Sequence, residues 1–169
     1  MVILQSRRKI LRVKVHDNHI PVEFYAAFLK RLPQVSVELF LETERGVLLL
    51  QRTNEPAAGE WFWPGTRLFK GESFQSAVER LSQEELGIDV DLGPQLGTYS
   101  HFWDTGAFDE VETTHTVNIV YRATTMTPGN IELDDQHNAI RFVEHPDESF
   151  NNYVNEYLRD AGYSEDVQQ

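Results

Sequence analysis

Apolar residues fall at two spacings along the chain, and the spacings separate its elements. Phe74, Ala77, Val78 and Leu81 stand at i, i+3, i+4 and i+7, the spacing of one helix face. Ser73 is an N-cap residue and Gly87 suits a left-handed stop, so the pattern predicts a helix between 73 and 87. Phe24, Phe28, Leu29 and Leu32 give a second stripe over residues 21–32, with Pro21 in the first turn. Phe150, Tyr153, Val154 and Tyr157 give a third near the C-terminus. Elsewhere the apolar residues run together, as strands do. Residues 36–43 and 47–52 read as strands joined by a turn at 44–46, and 98–103 and 116–122 as two more. Another strand resumes at Ile140, Trp61 and Trp63 alternate about Phe62 as in a short strand, and a basic, β-prone run reaches Val15.

No repeat, low-complexity stretch or linker interrupts these elements. A chain of 169 residues, 40% of them hydrophobic, suits one domain with its own core. Residues 1–33 form an N-terminal extension, 34–145 the core, and 146–169 a packing helix and tail. The stripe in the extension reads as packing or as the contact of a homodimer. No apolar run reaches membrane-spanning length and no long apolar leader opens the chain, so the expectation is a cytoplasmic protein without a membrane partner. The absence of Cys excludes a disulfide framework and thiolate chemistry. A net charge of −12 and a pI near 4.8 argue against nucleic acid as a partner. They fit a salt-adapted source and an ordinary acidic enzyme equally.

The chemistry concentrates in residues 64–88, PGTRLFKGESFQSAVERLSQEELGI. Glu84 and Glu85 stand at the C-terminal end of the expected helix, where the dipole disfavours negative charge. A solvated acidic helix end would explain an isolated pair. Here Glu72, Arg80 and a Pro-Gly loop precede it and Gly87 follows, and a divalent cation is the natural offset. The stretch resembles the Nudix box, Gly-x5-Glu-x7-Arg-Glu-U-x-Glu-Glu-x-Gly-U, in which U is bulky and apolar. Glu72, Arg80, Glu84, Glu85, Gly87 and Ile88 match. Thr66 replaces the first Gly, Leu81 the Glu after Arg, and Ser82 the first U. The pair Arg80-Leu81 resembles the GDP-mannose mannosyl hydrolase branch of that superfamily. So do SHFWDTGAFDEVETTHTVNIVY, residues 100–121, and the pair Gln136-His137.

The resemblance covers roughly residues 34–145. It implies an α/β/α sandwich with a mixed central β-sheet and the Nudix helix on one face. It implies magnesium, with manganese as a substitute, held by Glu85, Gln136 and the Gly65 carbonyl, with Glu84 a second-rank ligand. Arg52 and Arg67 would meet the diphosphate, Glu38 would face the sugar nucleotide, and His101 would contribute to the site. His137 would be the general base, suited by an imidazole pKa near 6.5. Glu72, Arg80 and Gly87 would be structural members of the box. The implied reaction is hydrolysis of a small-molecule nucleoside-diphosphate sugar, first of all GDP-mannose, by water attack at the anomeric carbon. Thr116 stands where the branch commonly carries a tyrosine.

Residue by residue, plainer readings stand beside these. Glu38 fits the wet face of a strand, lone histidines at strand ends are most often structural, and Asp134-Asp135 fits an ordinary turn. The tryptophans suit core packing before base stacking. The acidic loop 104–115 is a lid or a mobile connection. Two other functions stay open. One is a Nudix pyrophosphohydrolase attacking phosphorus, which Glu84 keeps alive. The other is a non-catalytic ligand sensor on the same scaffold, consistent with Thr66, Ser82 and Thr116.

Overall fold

The computed structural model describes residues 15–16 and 19–164. Most of the basic run before Val15 lies outside them; next to it, His16 forms a single antiparallel bridge with Lys70. The frame is a mixed seven-stranded sheet. Strand β1 (Gln34–Thr43) turns through 44–45 into β2 (Gly46–Arg52), and β3 (Trp61–Phe62) and β4 (Gly65–Arg67) are short. Longer β5 (Asp91–Trp103) and β6 (Thr114–Thr124) follow, then β7 (His137–Val143). The order is β3-β2-β1-β6-β5, with β4 also on β1 and β7 also on β2. Only the central pair β1–β6 is parallel; the other pairings are antiparallel.

Side-chain alternation along β1 decides what each layer holds. Val37, Leu39 and Leu41 face α2 (Phe74–Leu81) and pack with Ala77, Val78, Leu81 and Leu86. Phe40, one step out of phase, faces α3 (Asn152–Asp160) and packs with Trp63, Val154 and Tyr157. The sheet therefore lies between two helical layers, each closing its own core. Ser36 and Glu38 share the phase of Phe40 but border a cavity on that face, and Glu38 is met there by the Tyr157 hydroxyl of α3, which is why two polar residues on a buried strand are possible.

The helices begin as the sequence predicts and differ where they end. Ser73 caps α2 by accepting from the Ser76 amide at 3.1 Å. The α-helix stops at Leu81, and residues Ser82–Leu86 form a π-helical turn closed by Gly87 at φ 64°. The expected helix between 73 and 87 is thus two kinds of helix. Helix α1 is Val22–Leu29, shorter than residues 21–32. Of its expected stripe, Leu29 packs with Ala26 against Val111, while Phe24 is 67% exposed and Leu32 56%. The partner surface is the acidic loop, a segment no short-range pattern associates with this helix. β7 begins at His137 instead of Ile140, and Trp63 leaves its short strand to enter the α3 core.

Candidate active site

Arg80 organises the loop that precedes α2. Its Nε and one terminal nitrogen donate to the two Glu72 oxygens at 2.9 and 3.0 Å. The same guanidinium reaches the Thr66 hydroxyl at 3.0 Å, the Arg67 carbonyl at 2.9 Å and Glu84 at 3.2 Å. Glu72 accepts in addition from the Phe69 amide at 3.0 Å. Burial opposes its charge, but these donors hold its pKa below the usual carboxylate range. Thr66, where the box has glycine, is therefore used: its hydroxyl accepts from Arg80.

The fastened loop presents Gly65. Its amide donates to Glu85 Oε2 at 3.2 Å, and a Cβ there would stand 2.9 Å from Glu38 Cγ. Glycine lets two carboxylates approach one backbone position from different sides. Glu85 and Glu38 are 5% and 7% exposed. Burial pushes Glu85 up to about 8, reinforced by the charge of Asp134, with the Gly65 amide and Arg52 opposing. Burial pushes Glu38 up to about 7, with the Tyr157 hydrogen bond and Arg52 opposing.

These groups line a cavity of about 280 Å³. Arg52, Arg67, Gly65, Glu85, Gln136, Glu38 and His101 all border it. Arg52 is fixed by bonds to the Pro56 carbonyl at 2.8 Å and to Asn54 Oδ1 at 3.1 Å. That loop carries Ala57 at φ 68°, a left-handed conformation costly for a residue with a Cβ. Arg67 lies between two rings, 5.1 Å from Tyr25 and 5.0 Å from Phe69. Among the catalytic, metal-binding and substrate-binding residues expected from sequence, the structure does not bring two to the cavity wall. Glu84 turns outward to Arg80 with its side chain 61% exposed. His137 is buried just behind Gln136, its Nδ1 2.7 Å from Asp134 Oδ1 and its Nε2 without a hydrogen-bond partner.

His101 is buried by Tyr153, which stacks on it at 3.9 Å between centroids. Burial lowers its pKa to about 4, so the ring is neutral near pH 7. Tyr157 donates to Glu38 Oε2 at 2.7 Å, so its oxygen, 3.0 Å from His101 Nε2, is free to accept the His101 N–H. A chain His101–Tyr157–Glu38 thus links two residues of the cavity wall, on β5 and β1, through a hydroxyl of α3. Tyr157 shows in the sequence only as an apolar position of a packing helix.

Asp134 is the other residue the sequence undervalues. One oxygen meets His137 Nδ1 and accepts from the Gln136 amide at 3.1 Å; the other accepts from Gln136 Nε2 at 3.0 Å. The Gln136 Oε1 receives a bond from Asn54 at 3.2 Å. Its carboxylate precedes the Gln-His pair by two and three residues, and that spacing was the available signal.

The donor set suits a hard cation. Among the described residues no three His, Asp, Glu or Cys side chains converge as a preformed metal cluster. One carboxylate with carbonyl oxygens fits magnesium, which takes oxygen ligands and retains waters and substrate oxygens. The buried Glu85, held above the ordinary carboxylate range beside Asp134, is the group whose charge a cation would compensate.

A family model for the NUDIX domain matches residues 31–159. The chain belongs to the Nudix family. Its mixed sheet with flanking helices is the Nudix fold, seen also in the MutT protein of Methanosarcina mazei. That likeness has a TM-score of 0.61 at 24% identity, covering 75% of this chain and 91% of the other. Over 139 residues this Nudix chain is 40% identical to the low-salt glycan biosynthesis protein Agl8 of Haloferax volcanii, a match covering 82% of this chain and 88% of that protein. A shorter match, 35% identical over 68 residues and 40% of each chain, is to an ADP-ribose pyrophosphatase of Methanocaldococcus jannaschii.

Proposed function

We propose that the chain hydrolyses a nucleoside-diphosphate sugar, GDP-mannose first among them, to the nucleoside diphosphate and free sugar. The observation that carries this reading is the pairing of two departures. Leu81, at the place of a box carboxylate, is fully buried in the α2 core. The Asp134–His137 pair stands on another segment, beside Gln136. The base has moved, and the attacked atom is proposed to have moved with it, from phosphorus to the anomeric carbon. The likeness to a glycan biosynthesis protein supports a sugar-linked substrate.

Arg52 and Arg67 bind the diphosphate oxygens, a role their planar forks suit. Glu85, Gln136 and the Gly65 carbonyl would hold magnesium. Bound there, it supplies charge stabilisation for the departing diphosphate. Asp134 accepts the Nδ1 proton of His137 and so leaves Nε2 as the basic nitrogen. That nitrogen removes a proton from the attacking water once it is reached from the cavity side. Glu38, oriented by Tyr157, borders the sugar side.

One observation favours the phosphorus-attacking reading: His137 lies behind the cavity wall, whereas Glu85 stands on it. Hydrolysis of GDP-mannose in oxygen-18 water decides between them. Carbon attack gives labelled mannose, first as the β-anomer, and unlabelled GDP. GMP and mannose 1-phosphate would establish attack at phosphorus. Binding with magnesium but no turnover across a broad nucleotide panel would make the chain a sensor.

A further inference from the structure

The nucleotide-sugar reading leaves open how the substrate lies in the cavity, and the distribution of charge along its walls speaks to this. Arg52, Arg67 and Glu85 line the cavity together with Gly65, while the floor between β1 and β6 carries, beside Glu38, uncharged polar groups. The parallel register sets Ser36 beside Asn118 and Gln34 beside Thr116, in phase with Glu38. Ser36, Thr116 and Asn118 are all buried, and buried polar atoms require partners. Their internal bonds use only part of their capacity. Gln34 Nε2 donates to Ser36 Oγ at 3.1 Å, and Asn118 Nδ2 donates to Thr116 Oγ1 at 3.0 Å. Each hydroxyl is thus an acceptor whose own O–H is still to be donated, and Asn118 Oδ1 is still an acceptor.

That set complements sugar hydroxyls, each of which both gives and takes a hydrogen bond. A planar base is held instead by stacking on a ring face, and none of these four floor residues carries a ring. Of the rings lining the cavity, Trp63 stacks on Tyr157 at 5.5 Å and Tyr25 carries the Arg67 guanidinium, whereas Trp103 meets Phe62 in a T-shaped contact at 5.4 Å and lies off the β1–β6 floor residues. We infer that the β1–β6 floor, roofed by Tyr25 of α1, is the subsite for the uncharged, hydroxyl-rich glycosyl end of the substrate. The diphosphate then lies at Arg67, which β4 places directly opposite Ser36. The N-terminal extension becomes part of the specificity site, because Tyr25 joins the roof, Gln34 and Arg67.

The test is calorimetric titration of the full chain with calcium, another oxygen-seeking cation, in place of magnesium, with product analysis confirming that the sugar nucleotide stays intact. GDP-mannose and UDP-glucose serve as sugar nucleotides, and GDP and UDP as the same ligands without the sugar. The double variant Ser36→Ala and Thr116→Val removes both hydroxyls with little change of volume. It should weaken the sugar nucleotide by about tenfold and leave the free diphosphate unchanged, a result that also demonstrates the fold. Equal weakening of GDP or UDP, in a variant that melts like wild type, places the nucleoside on the floor and overturns the subsite. Should the double variant not fold, Gln34→Ala at the half-exposed rim carries the same two readouts. A wild-type chain that binds diphosphates but no sugar nucleotide rejects the proposed function and the subsite together. An oxygen-18 result at phosphorus changes the bond cleaved and leaves the subsite standing, so the two failures are distinguishable.

Discussion

Asp134 Oδ1 and His137 Nδ1 meet at 2.7 Å, and this contact fixes which nitrogen of the imidazole is basic. Burial lowers the His137 pKa below its ordinary value and the Asp134 carboxylate offsets this only in part, which favours the neutral ring a general base requires. His137→Ala should lower kcat roughly a hundredfold or more without loss of fold, and the ascending limb of the rate–pH profile should vanish. Asp134→Asn should show nitrogen-15 shifts with the ring proton displaced toward Nε2, together with a fall in kcat. An unchanged rate and profile in His137→Ala would return the base to a carboxylate.

Glu85 and Glu84 are neighbours in sequence with opposite surroundings. Glu85→Gln should reduce activity by on the order of a hundredfold, at or beyond the loss typical for residues supporting a metal. Glu84→Gln, at an exposed position on Arg80, should have a mild effect. Equal small effects in both, or full activity in excess chelator, would remove the metal assignment.

The two buried carboxylates make a distinctive prediction for stability against pH. Glu38 and Glu85 hold protons up to about 7 and about 8 in the fold, against an ordinary 4.5. Their contribution to stability is complete below the unfolded value and is lost as pH rises through the folded ones. The metal-free chain should therefore melt lower at pH 8 than magnesium-loaded chain, with the difference shrinking toward pH 5. His101 acts in the opposite direction, losing stability as pH falls from 6.5 toward about 4. It should contribute equally with and without magnesium. A melting difference independent of pH would contradict the assignment of Glu85.

Leu81→Glu restores the family carboxylate in sequence and should fail in structure. The side chain is fully buried among Val37, Leu39 and Val78. The variant should lose about 3 kcal/mol or more, the scale of an unpaired polar group placed in a core. Denaturant titration measures this, and a neutral result would show that the position opens toward the cation.

The Arg80–Glu72 pair should matter to stability as well as to the site. Arg80→Lys keeps the charge and loses the fork, at a cost of about 2 kcal/mol, with a larger KM because the loop carrying Gly65 and Arg67 loosens. Thermal melting and steady-state kinetics report the two effects separately.

Local signals made much of this legible. The Ser73 cap, the Gly87 stop, the β1–β2 hairpin and the apolar face of α2 all follow from spacing and turn chemistry. The family resemblance pointed to Arg52, Arg67, Gly65, Glu85 and Gln136, which do border one cavity. What stayed hidden is set by tertiary proximity. Asp134 looks like half of a turn until Gln136 and His137 fold onto it. Tyr157 looks like one more apolar helix position until its hydroxyl meets Glu38, 119 residues away. Ser36 and Asn118 gain meaning only through the parallel register of β1 and β6. In the extension the stripe named Leu29, which packs, but not Ala26 beside it, because their partner Val111 lies in a distant loop.

The π-helical turn at Ser82–Leu86 carries a consequence for anyone transplanting the motif. A π turn holds one residue more than an α turn over the same bonds, so Glu85 is aimed by an insertion relative to ideal helical phase. Straightening the same residues into an α-helix with none removed would swing the carboxylate by the better part of one helical step of roughly 100°, whereas losing one residue together with the π turn would largely preserve its direction. A designer grafting these residues onto a straight helix would copy every letter of the box and lose its aim. The irregularity is part of the ligand.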